Sequence, residues 1–221
     1  MNNEIKLDLQ RGSRIGLGEA IFCSHKSYSQ LCDIIESLQA AQQSTLFTRL
    51  EKNIFERLAQ HYPGVLKYDE VAKTAVFGEM TQNATVGEIA IVTAGSSDVS
   101  VAKEALSTLA FFGQSATEIH DVGVAGLWRL LERLDTIKSH RIVICLAGMD
   151  AALPTVLGGL IGSLIIAVPT SVGYGMAQAG QTALNALLSS CASGLVVVNI
   201  NNGYGAACAA IRALGNSTSN Q

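Results

Sequence analysis

Short apolar runs alternate with amphipathic segments from about residue 86 to the end of the chain. Apolar runs bounded by turn residues are typical of strands buried in a parallel sheet, and the segments between them have helical spacing. The predicted strands are 88–93, 115–119, 141–146, 164–168 and 195–200. The predicted helices are 99–112, 124–134, 153–161, 178–190 and 205–214. This alternation predicts an α/β fold with a parallel sheet covered by helices on both faces.

The N-terminal part of the chain has a different pattern, with charges of both signs throughout. Apolar residues recur at helical spacing in 28–41 and 51–62, which predicts two helices. Residues 44–47 are predicted as a short strand, and 66–78 as extended, partly polar chain that leads into a loop. We therefore predict a small N-terminal α/β or mostly helical domain before the larger α/β domain. The predicted parts of the chain are residues 1–85, 86–216 and 217–221, the last a polar tail.

Composition and charge exclude several classes of protein. The formal net charge is −3 without any Lys/Arg run, which argues against a nucleic-acid partner and an anionic membrane surface. The N-terminus has no apolar stretch behind its basic residues, so we predict no secretory signal. The five cysteines are scattered without a CxxC pair, which indicates reduced thiols in the cytoplasm and no metal site.

A long uncharged segment suggests assembly. No charged residue and no histidine occurs from Ala151 to Ile211. A membrane helix needs roughly 20 consecutive apolar residues, and prolines and glycines such as Pro154 and Pro169 divide this segment into shorter pieces. Helices that are apolar all round are buried ones, and obligate interfaces resemble a protein core. The segment therefore predicts a homo-oligomer rather than a membrane protein.

The first segment with candidate chemistry is Gly95-Ser96-Ser97-Asp98, between a predicted strand and helix. Ligands bind at the carboxyl ends of parallel strands. The glycine permits a sharp turn, the serines offer hydrogen-bond donors, and the helix N-terminus attracts an anion. Asp98 is placed to cap the helix. An ordinary turn with an Asp cap explains these residues equally well.

Two further candidate segments follow the next strands. The residues Asp121 and Gly123 suit a loop that approaches a ligand closely, although Asp121 could be only a turn residue. After the third strand come Gly148, Met149 and Asp150, the last acidic residue of the chain. Burial beside so much apolar surface would raise the pKa of Asp150 and suit it to act as a general base. The alternative is a solvated helix cap.

The last candidates lie at the ends of the fourth and fifth predicted strands, with one cysteine just before the fifth. The polar and glycine residues singled out after the strands are Thr170, Ser171, Gly173, Asn199 and Asn202. Cys191 lies at a predicted helix C-terminus, where the helix dipole does not favour a thiolate. Periodicity alone therefore favours a structural role for Cys191.

Taken together, these segments resemble a known family. GSSD, DVGVAGLWRLL, AGMDAALPTVLGGL, AVPTSVGYG, SSCASG and VVVNINNGYGAA occur in the order and spacing of the LarB family. The catalytic domain of that family resembles the class I aminoimidazole ribonucleotide carboxylase (mutase) of purine biosynthesis. The resemblance covers residues 88–214. The looser match of the N-terminal part rests on Asp8, Arg11, Arg14, Gly16 and the pair Thr48-Arg49.

The resemblance implies a fold and a reaction. The fold is a flavodoxin-like three-layer α/β/α domain, assembled as an octamer or a similar ring. Family members carboxylate C5 of the pyridinium ring of nicotinate adenine dinucleotide with CO₂ or bicarbonate and split its phosphoanhydride. The products are AMP and pyridinium-3,5-biscarboxylate mononucleotide, which later enzymes convert to a nickel-pincer cofactor. No tightly bound cofactor is implied, and a requirement for Mg²⁺ stays open.

The resemblance also assigns roles to residues. Cys191 matches the reactive cysteine, whose thiolate adds at C4 of the ring and makes C5 nucleophilic. This reverses the structural role that periodicity favours. Asp150 matches the catalytic carboxylate, which is often Glu. The serines of the GSSD segment would hold a phosphate or the substrate carboxylate, while Asp98 and Asp121 would orient the ribose or the ring.

The chain departs from the family at two positions and leaves two alternatives open. Trp128 stands where members commonly have His, and Asn201 replaces the usual Asp. One alternative is a carboxylase of aminoimidazole ribonucleotide. Such enzymes usually have Ser-Ala-His-Arg-Thr after the second strand, where this chain has His120-Asp121-Val122-Gly123. The other is a non-catalytic nucleotide-binding module in a ring assembly.

Overall fold

The computed structural model describes residues 5–81 and 85–215, and the predicted polar tail lies outside them. The chain divides into two compact units, Met1–Gln82 and Asn83–Gln221. In the described residues, no helix combines the length and the apolar character needed to cross a bilayer.

The N-terminal unit is a four-stranded sheet with two longer helices. Its elements are α1 (Arg11–Ile15), β1 (Ala20–Phe22), α2 (Tyr28–Ala41), β2 (Thr45–Thr48), α3 (Lys52–His61), β3 (Leu66–Asp69) and β4 (Thr74–Phe77). The strand order is β1-β2-β4-β3, with β1 and β2 parallel and the other pairs antiparallel. The two predicted helices and the predicted short strand are confirmed as α2, α3 and β2.

Local sequence explains why α2 begins where it does. The hydroxyl of Ser27 accepts the backbone N–H of Gln30 at 3.2 Å, and the side chain of Gln30 accepts the N–H of Ser27 at 2.9 Å. This capping box satisfies two donors at the helix start. The residues that give the segment its helical spacing are all buried in the core of the unit: Leu31, Ile34, Ile35 and Leu38.

The segment 66–78, predicted as extended chain, is the hairpin formed by β3 and β4, so its extended conformation is confirmed, while its division into two paired strands was not predicted. Its polar character has a simple cause: β3 is an edge strand, in which Leu66 is buried while Lys67 and Asp69 face solvent. All residues of its partner β4 are buried. Strand β1 was not predicted, since three residues are too few to show a period.

The second unit is a five-stranded parallel sheet covered by helices. Its elements are β5 (Thr85–Thr93), α4 (Val99–Phe111), β6 (Gln114–Ile119), α5 (Leu127–Lys138), β7 (Ile142–Ala147), α6 (Ala152–Gly158), β8 (Leu164–Pro169), α7 (Gln181–Leu188), β9 (Val196–Val197) and α8 (Gly203–Leu214). The strand order β6-β5-β7-β8-β9 is the second-first-third-fourth-fifth order of flavodoxin-like folds. The predicted three-layer α/β/α architecture is confirmed.

Right-handed crossovers place the helices on the two faces of the sheet. Helix α4 packs against α8 on one face. The other face packs alternate strand residues, such as Val92, Val143 and Cys145, against buried residues of α5, α6 and α7. Every residue of the central strand β7 is buried, which explains its continuous apolar run.

The last part of the chain departs most from the prediction. The helix predicted from residue 178 begins at Gln181, because Gln178 and Ala179 have left-handed backbone angles inside a 3-10 turn. The helix predicted over 153–161 ends at Gly158. The strand predicted over 195–200 is limited to Val196–Val197, since β9 is an edge strand that pairs with β8 alone.

Candidate active site

The loops after β5, β6, β7 and β8 line a cavity of about 540 Å³ at the carboxyl edge of the sheet. This volume is in the range of small-molecule sites, roughly 300–1,000 Å³. The cavity lies beside the point between β5 and β7 where the strand order reverses, the usual ligand position in open parallel sheets. The predicted site residues that line it are Gly95, Asp98, Gly123, Gly148, Met149 and Asp150.

Asp98 is the buried carboxyl group of this cavity. One carboxylate oxygen accepts the N–H of Gly95 at 2.8 Å, and the other accepts the hydroxyl of Thr170 at 2.6 Å. The predicted helix cap is therefore wrong, because the side chain turns back into its own loop instead of bonding the first turn of α4. Burial raises the pKa of Asp98 above its usual range, although these hydrogen bonds oppose the shift. Such perturbed carboxyls are candidate proton carriers.

Two glycines let the loops pack backbone against backbone. A Cβ atom on Gly123 would lie 2.7 Å from the carbonyl oxygen of Ala94, and one on Gly148 would lie 2.4 Å from that of Val172. The N–H of Gly123 donates to the same Ala94 oxygen at 2.8 Å, and the N–H of Met149 donates to Val172 at 2.8 Å. Side chains larger than hydrogen are excluded here, so the glycines fix the floor of the cavity.

Asp150 lies on the rim of the cavity and is exposed in the single chain. The burial that we expected for Asp150 is therefore absent in the isolated chain. Both of its neighbours, Met149 and Ala151, have left-handed backbone angles. The segment is thus a tight turn that holds the carboxylate of Asp150 outward, between β7 and α6.

Asp121 does not line the cavity but forms an ion pair next to it. Its backbone is left-handed, and its N–H donates to the hydroxyl of Thr93 at 3.2 Å. Its carboxylate accepts a hydrogen bond from Arg129 at 2.7 Å. Sequence reasoning missed Arg129, which could have been found as the one basic residue of the DVGVAGLWRLL segment. The pair places a cation near the loop of Gly123 that lines the cavity.

His120 is held away from the cavity by an acidic neighbour. Its Nε2 lies 2.9 Å from a carboxylate oxygen of Glu118, which Lys103 also contacts at 2.7 Å. Burial opposes ionisation of Glu118, but the hydrogen bonds from Lys103 and His120 outweigh it and lower its pKa. Among the described residues, those lining the cavity include no histidine.

Ser171 pairs with the residue that departs from the family pattern. The side-chain oxygen of Asn201 accepts the N–H of Ser171 at 2.8 Å, and its amide nitrogen donates to the hydroxyl of Ser171 at 2.8 Å. An amide satisfies both contacts because it is donor and acceptor at once. Neither residue lines the cavity.

The remaining polar candidates lie outside the cavity in short turns. Asn202 caps α8 by accepting the N–H of Gly205 at 2.8 Å, and Asn199 closes a turn by accepting the N–H of the next residue. Ser96 and Ser97 are exposed in the 3-10 turn before α4. Gly173 lies in the loop after β8 with a φ of +140°. The structure thus brings together the loops after four strands at the cavity and leaves these residues around it.

Cys191 is the exposed thiol among the five cysteines, all of which lie in the described residues. Burial raises the pKa of Cys23 to about 12 and also raises that of Cys145. Cys191 follows α7, and the residues after it, 192–195, enclose a small cavity with Gly158, Ile161 and others that precede β8. Cys191 therefore lies toward the amino edge of the sheet and not with Asp98 and Asp150 at the carboxyl edge.

Several large apolar side chains of the second unit are exposed in the single chain. Tyr174 is 82% exposed, Met176 76% and Trp128 63%. Exposed apolar side chains mark interaction sites where they form a large contiguous patch. In the part of the chain that the structure describes, no group of three or more His, Cys, Asp or Glu is arranged to hold a metal ion.

Comparisons with known proteins agree along most of the chain. A family model described as LarB/PurE-like N-terminal domain matches residues 2–79, and one described as AIR carboxylase matches residues 88–221. An uncharacterized protein of Methanocaldococcus jannaschii, MJ0165, is 33% identical over 217 residues, which are 93% of this chain and 82% of the relative. The crystal structure of a Treponema denticola PurE2 variant has a TM-score of 0.49 and 19% identity, over 61% of this chain and 80% of that one.

Proposed function

Because the chain belongs to the AIR carboxylase family with a LarB/PurE-like N-terminal domain, and is thus an enzyme of the carboxylase/mutase type, we propose that it carboxylates nicotinate adenine dinucleotide. The carboxylate is added at C5 of the pyridinium ring, from CO₂ or bicarbonate, and water splits the phosphoanhydride. The products are pyridinium-3,5-biscarboxylate mononucleotide and AMP. The mononucleotide would then pass to the enzymes that build the nickel-pincer cofactor.

The observation that carries this proposal is the exposed thiol of Cys191. A pyridinium ring is electron-poor, so its C5 cannot attack CO₂. Addition of a thiolate at C4 gives a 1,4-dihydropyridine, whose enamine makes C5 nucleophilic. Covalent catalysis of this kind divides one difficult step into easier ones. An aminoimidazole is already electron-rich and needs no such adduct.

The covalent steps balance without an oxidant or reductant. Electrons of the C5–C6 double bond form the new bond to the carbon of CO₂ and leave an iminium at the ring nitrogen. A base then takes the proton from C5, which restores that double bond. Finally the nitrogen lone pair expels the thiolate from C4, and the ring becomes an aromatic pyridinium again.

The cavity at the carboxyl edge and the turns around it supply candidates for the other roles. Asp150 is the proposed base for the C5 proton, since it lines the cavity and is exposed to an entering ring. Asp98 and Asp121 would orient the ribose or the ring. The exposed Ser96 and Ser97 would hold a phosphate or the substrate carboxylate, at the turn that precedes α4.

The proposal requires a second copy of the chain. Because Cys191 and Asp150 lie toward opposite edges of the sheet in one chain, both can reach the same substrate only if one comes from a neighbour. The uncharged segment from Ala151 to Ile211 and the exposed side chains of Tyr174 and Met176 support such an assembly. The homo-oligomer, an octamer if the family resemblance extends that far, is therefore part of the proposal.

The test is turnover of nicotinate adenine dinucleotide with bicarbonate. We expect release of AMP and a mononucleotide product heavier by one CO₂, both followed by chromatography with mass detection. Cys191→Ala should abolish both products, whereas Cys208→Ala, which changes a half-buried cysteine of the alanine-rich helix α8, should retain them. An intact-protein mass spectrum should show a substrate adduct on Cys191. Turnover of aminoimidazole ribonucleotide instead, or full activity of Cys191→Ala, would refute the proposal.

A further inference from the structure

The N-terminal unit contains its own cavity, of about 530 Å³. It is formed by residues 5–7, the edge strand β1, the loop that follows β1 and the first half of α2. The volume again falls in the range of small-molecule sites, roughly 300–1,000 Å³. None of the roles proposed above uses this cavity.

Positive charge predominates around the cavity. Lys6, His25 and Lys26 line it and are exposed. Glu19 is the acidic residue of the lining, and its carboxylate already accepts the backbone N–H of Asp8 at 2.7 Å. Two lysines and a histidine around one engaged carboxylate favour an anionic ligand, and lysine ammonium groups bind phosphate well.

An aromatic ring lies at the same place. Phe22, the last residue of β1, lines the cavity and is 50% exposed, while its neighbours Ile21 and Cys23 face the core. The guanidinium group of Arg49, which follows the parallel strand β2, lies 5.5 Å from the centre of the Phe22 ring. Half-exposed aromatic rings and arginine planes are the groups on which nucleic-acid bases stack.

Two of the basic residues have a backbone conformation that is unusual for residues other than glycine. His25 and Arg49, which follow the parallel strands β1 and β2, both have left-handed backbone angles, with φ of 68° and 53°. Glycine adopts this conformation most easily. Basic side chains at both positions are consistent with a role at the cavity, although the charges and the aromatic ring carry the argument.

We propose that this cavity binds a mononucleotide. Lys26 and His25 contact its phosphate, and its base stacks on the exposed part of the Phe22 ring, next to the guanidinium group of Arg49. The ligand class is therefore a phosphorylated aromatic heterocycle, and AMP is the simplest probe. The described lining of this cavity comes from the N-terminal unit alone, and the proposal does not depend on the proposed carboxylation.

The experiment is hydrogen–deuterium exchange on the full chain with increasing AMP, because it reports on each segment separately. We expect protection of peptides covering residues 20–30 and 47–51. Lys26→Gln and Arg49→Gln should each raise the AMP concentration for half-maximal protection by about tenfold, the usual effect of losing one charge-assisted contact. The matched control is Lys67→Gln on β3, an exposed lysine outside the cavity, which should leave the protection unchanged.

Further probes separate the phosphate contact from the stacking contact. Inorganic phosphate should protect the same peptides more weakly than AMP, and Phe22→Leu should weaken the effect of AMP but not that of phosphate. The proposal is overturned if AMP protects only segments around residues 94–100 and 123–129. It is overturned equally if Lys67→Gln reduces protection as much as Lys26→Gln, or if Phe22→Leu leaves the AMP response unchanged. Absence of enzymatic turnover would not affect it.

Discussion

Mixing two inactive variants tests whether each catalytic site is shared between copies. We take Cys191→Ala, which removes the proposed nucleophile, and Asp150→Asn, which removes the proposed base. Alone, the first should lower activity by more than about a thousandfold, as loss of a nucleophile does. The second should lower it by about 10²–10⁴-fold, as loss of a general base does.

The expected recovery follows from where the two residues lie. If Cys191 comes from one copy and Asp150 from its neighbour, a mixed assembly contains some sites that received an intact residue from each variant. In a random one-to-one mixture, about one quarter of the sites hold both residues. Activity per chain should therefore return to about a quarter of the wild-type value. If both residues of a site came from one chain, no site would be repaired.

The assay is AMP release from nicotinate adenine dinucleotide by the two variants co-expressed with different affinity tags. Purification on both tags in turn ensures that only mixed assemblies are measured. Two controls are mixtures of each variant with itself, which should stay inactive. A doubly purified assembly with no recovery would refute the shared site, and so would light scattering that finds active wild-type monomers.

Two further predictions concern the cavity at the carboxyl edge. Gly148→Ala should lower the free energy of unfolding by about 1–3 kcal/mol, because its Cβ would lie 2.4 Å from a main-chain oxygen. The control Gly162→Ala, whose Cβ would have no atom within 4 Å, should change the free energy of unfolding little. Equal losses of the two variants in urea unfolding would contradict this account. Burial raises the pKa of Asp98 above its unfolded value near 3.8, so its ionisation reduces stability as the pH rises from that value through the folded pKa. Asp98→Asn should remove this decline, so the stability of the variant relative to wild type should increase over that pH range; parallel stability curves would show that the carboxyl stays unperturbed.

The sequence was most informative where burial is strongest. The run Ile142–Ala147 has no polar interruption because β7 has a strand on each side and helices on both faces. The alternation of such runs with helical segments therefore correctly predicted a parallel sheet covered by helices on both faces. Edge strands are exposed on one side, so β3 was predicted only as extended chain and β9 was predicted too long. The hydrophobic pattern of the sequence is a weak signal in a strand that pairs with another strand on one side only.

The site was harder to predict because it depends on the directions in which side chains point, and the spacing of residues along the chain does not encode those directions. Asp98 precedes α4 as a capping residue would, yet its side chain bonds Gly95 and Thr170 instead. Thr170 lies 72 positions further along the chain, and the pairing of β5 with β7 and of β7 with β8 brings it near. The position of Cys191 likewise follows from which end of α7 it occupies, together with the direction of the parallel strands.

The uncharged segment links the proposed chemistry to the proposed assembly. With no Lys, Arg or His from Ala151 to Ile211, this segment provides no positive charge beside Cys191. The pyridinium ring of the proposed substrate carries one, and its attraction for a thiolate increases when water is excluded. Contact between copies would exclude water from both groups. The segment that favours subunit contact would then also ensure that the strongest partner of the thiolate is the ring it must attack.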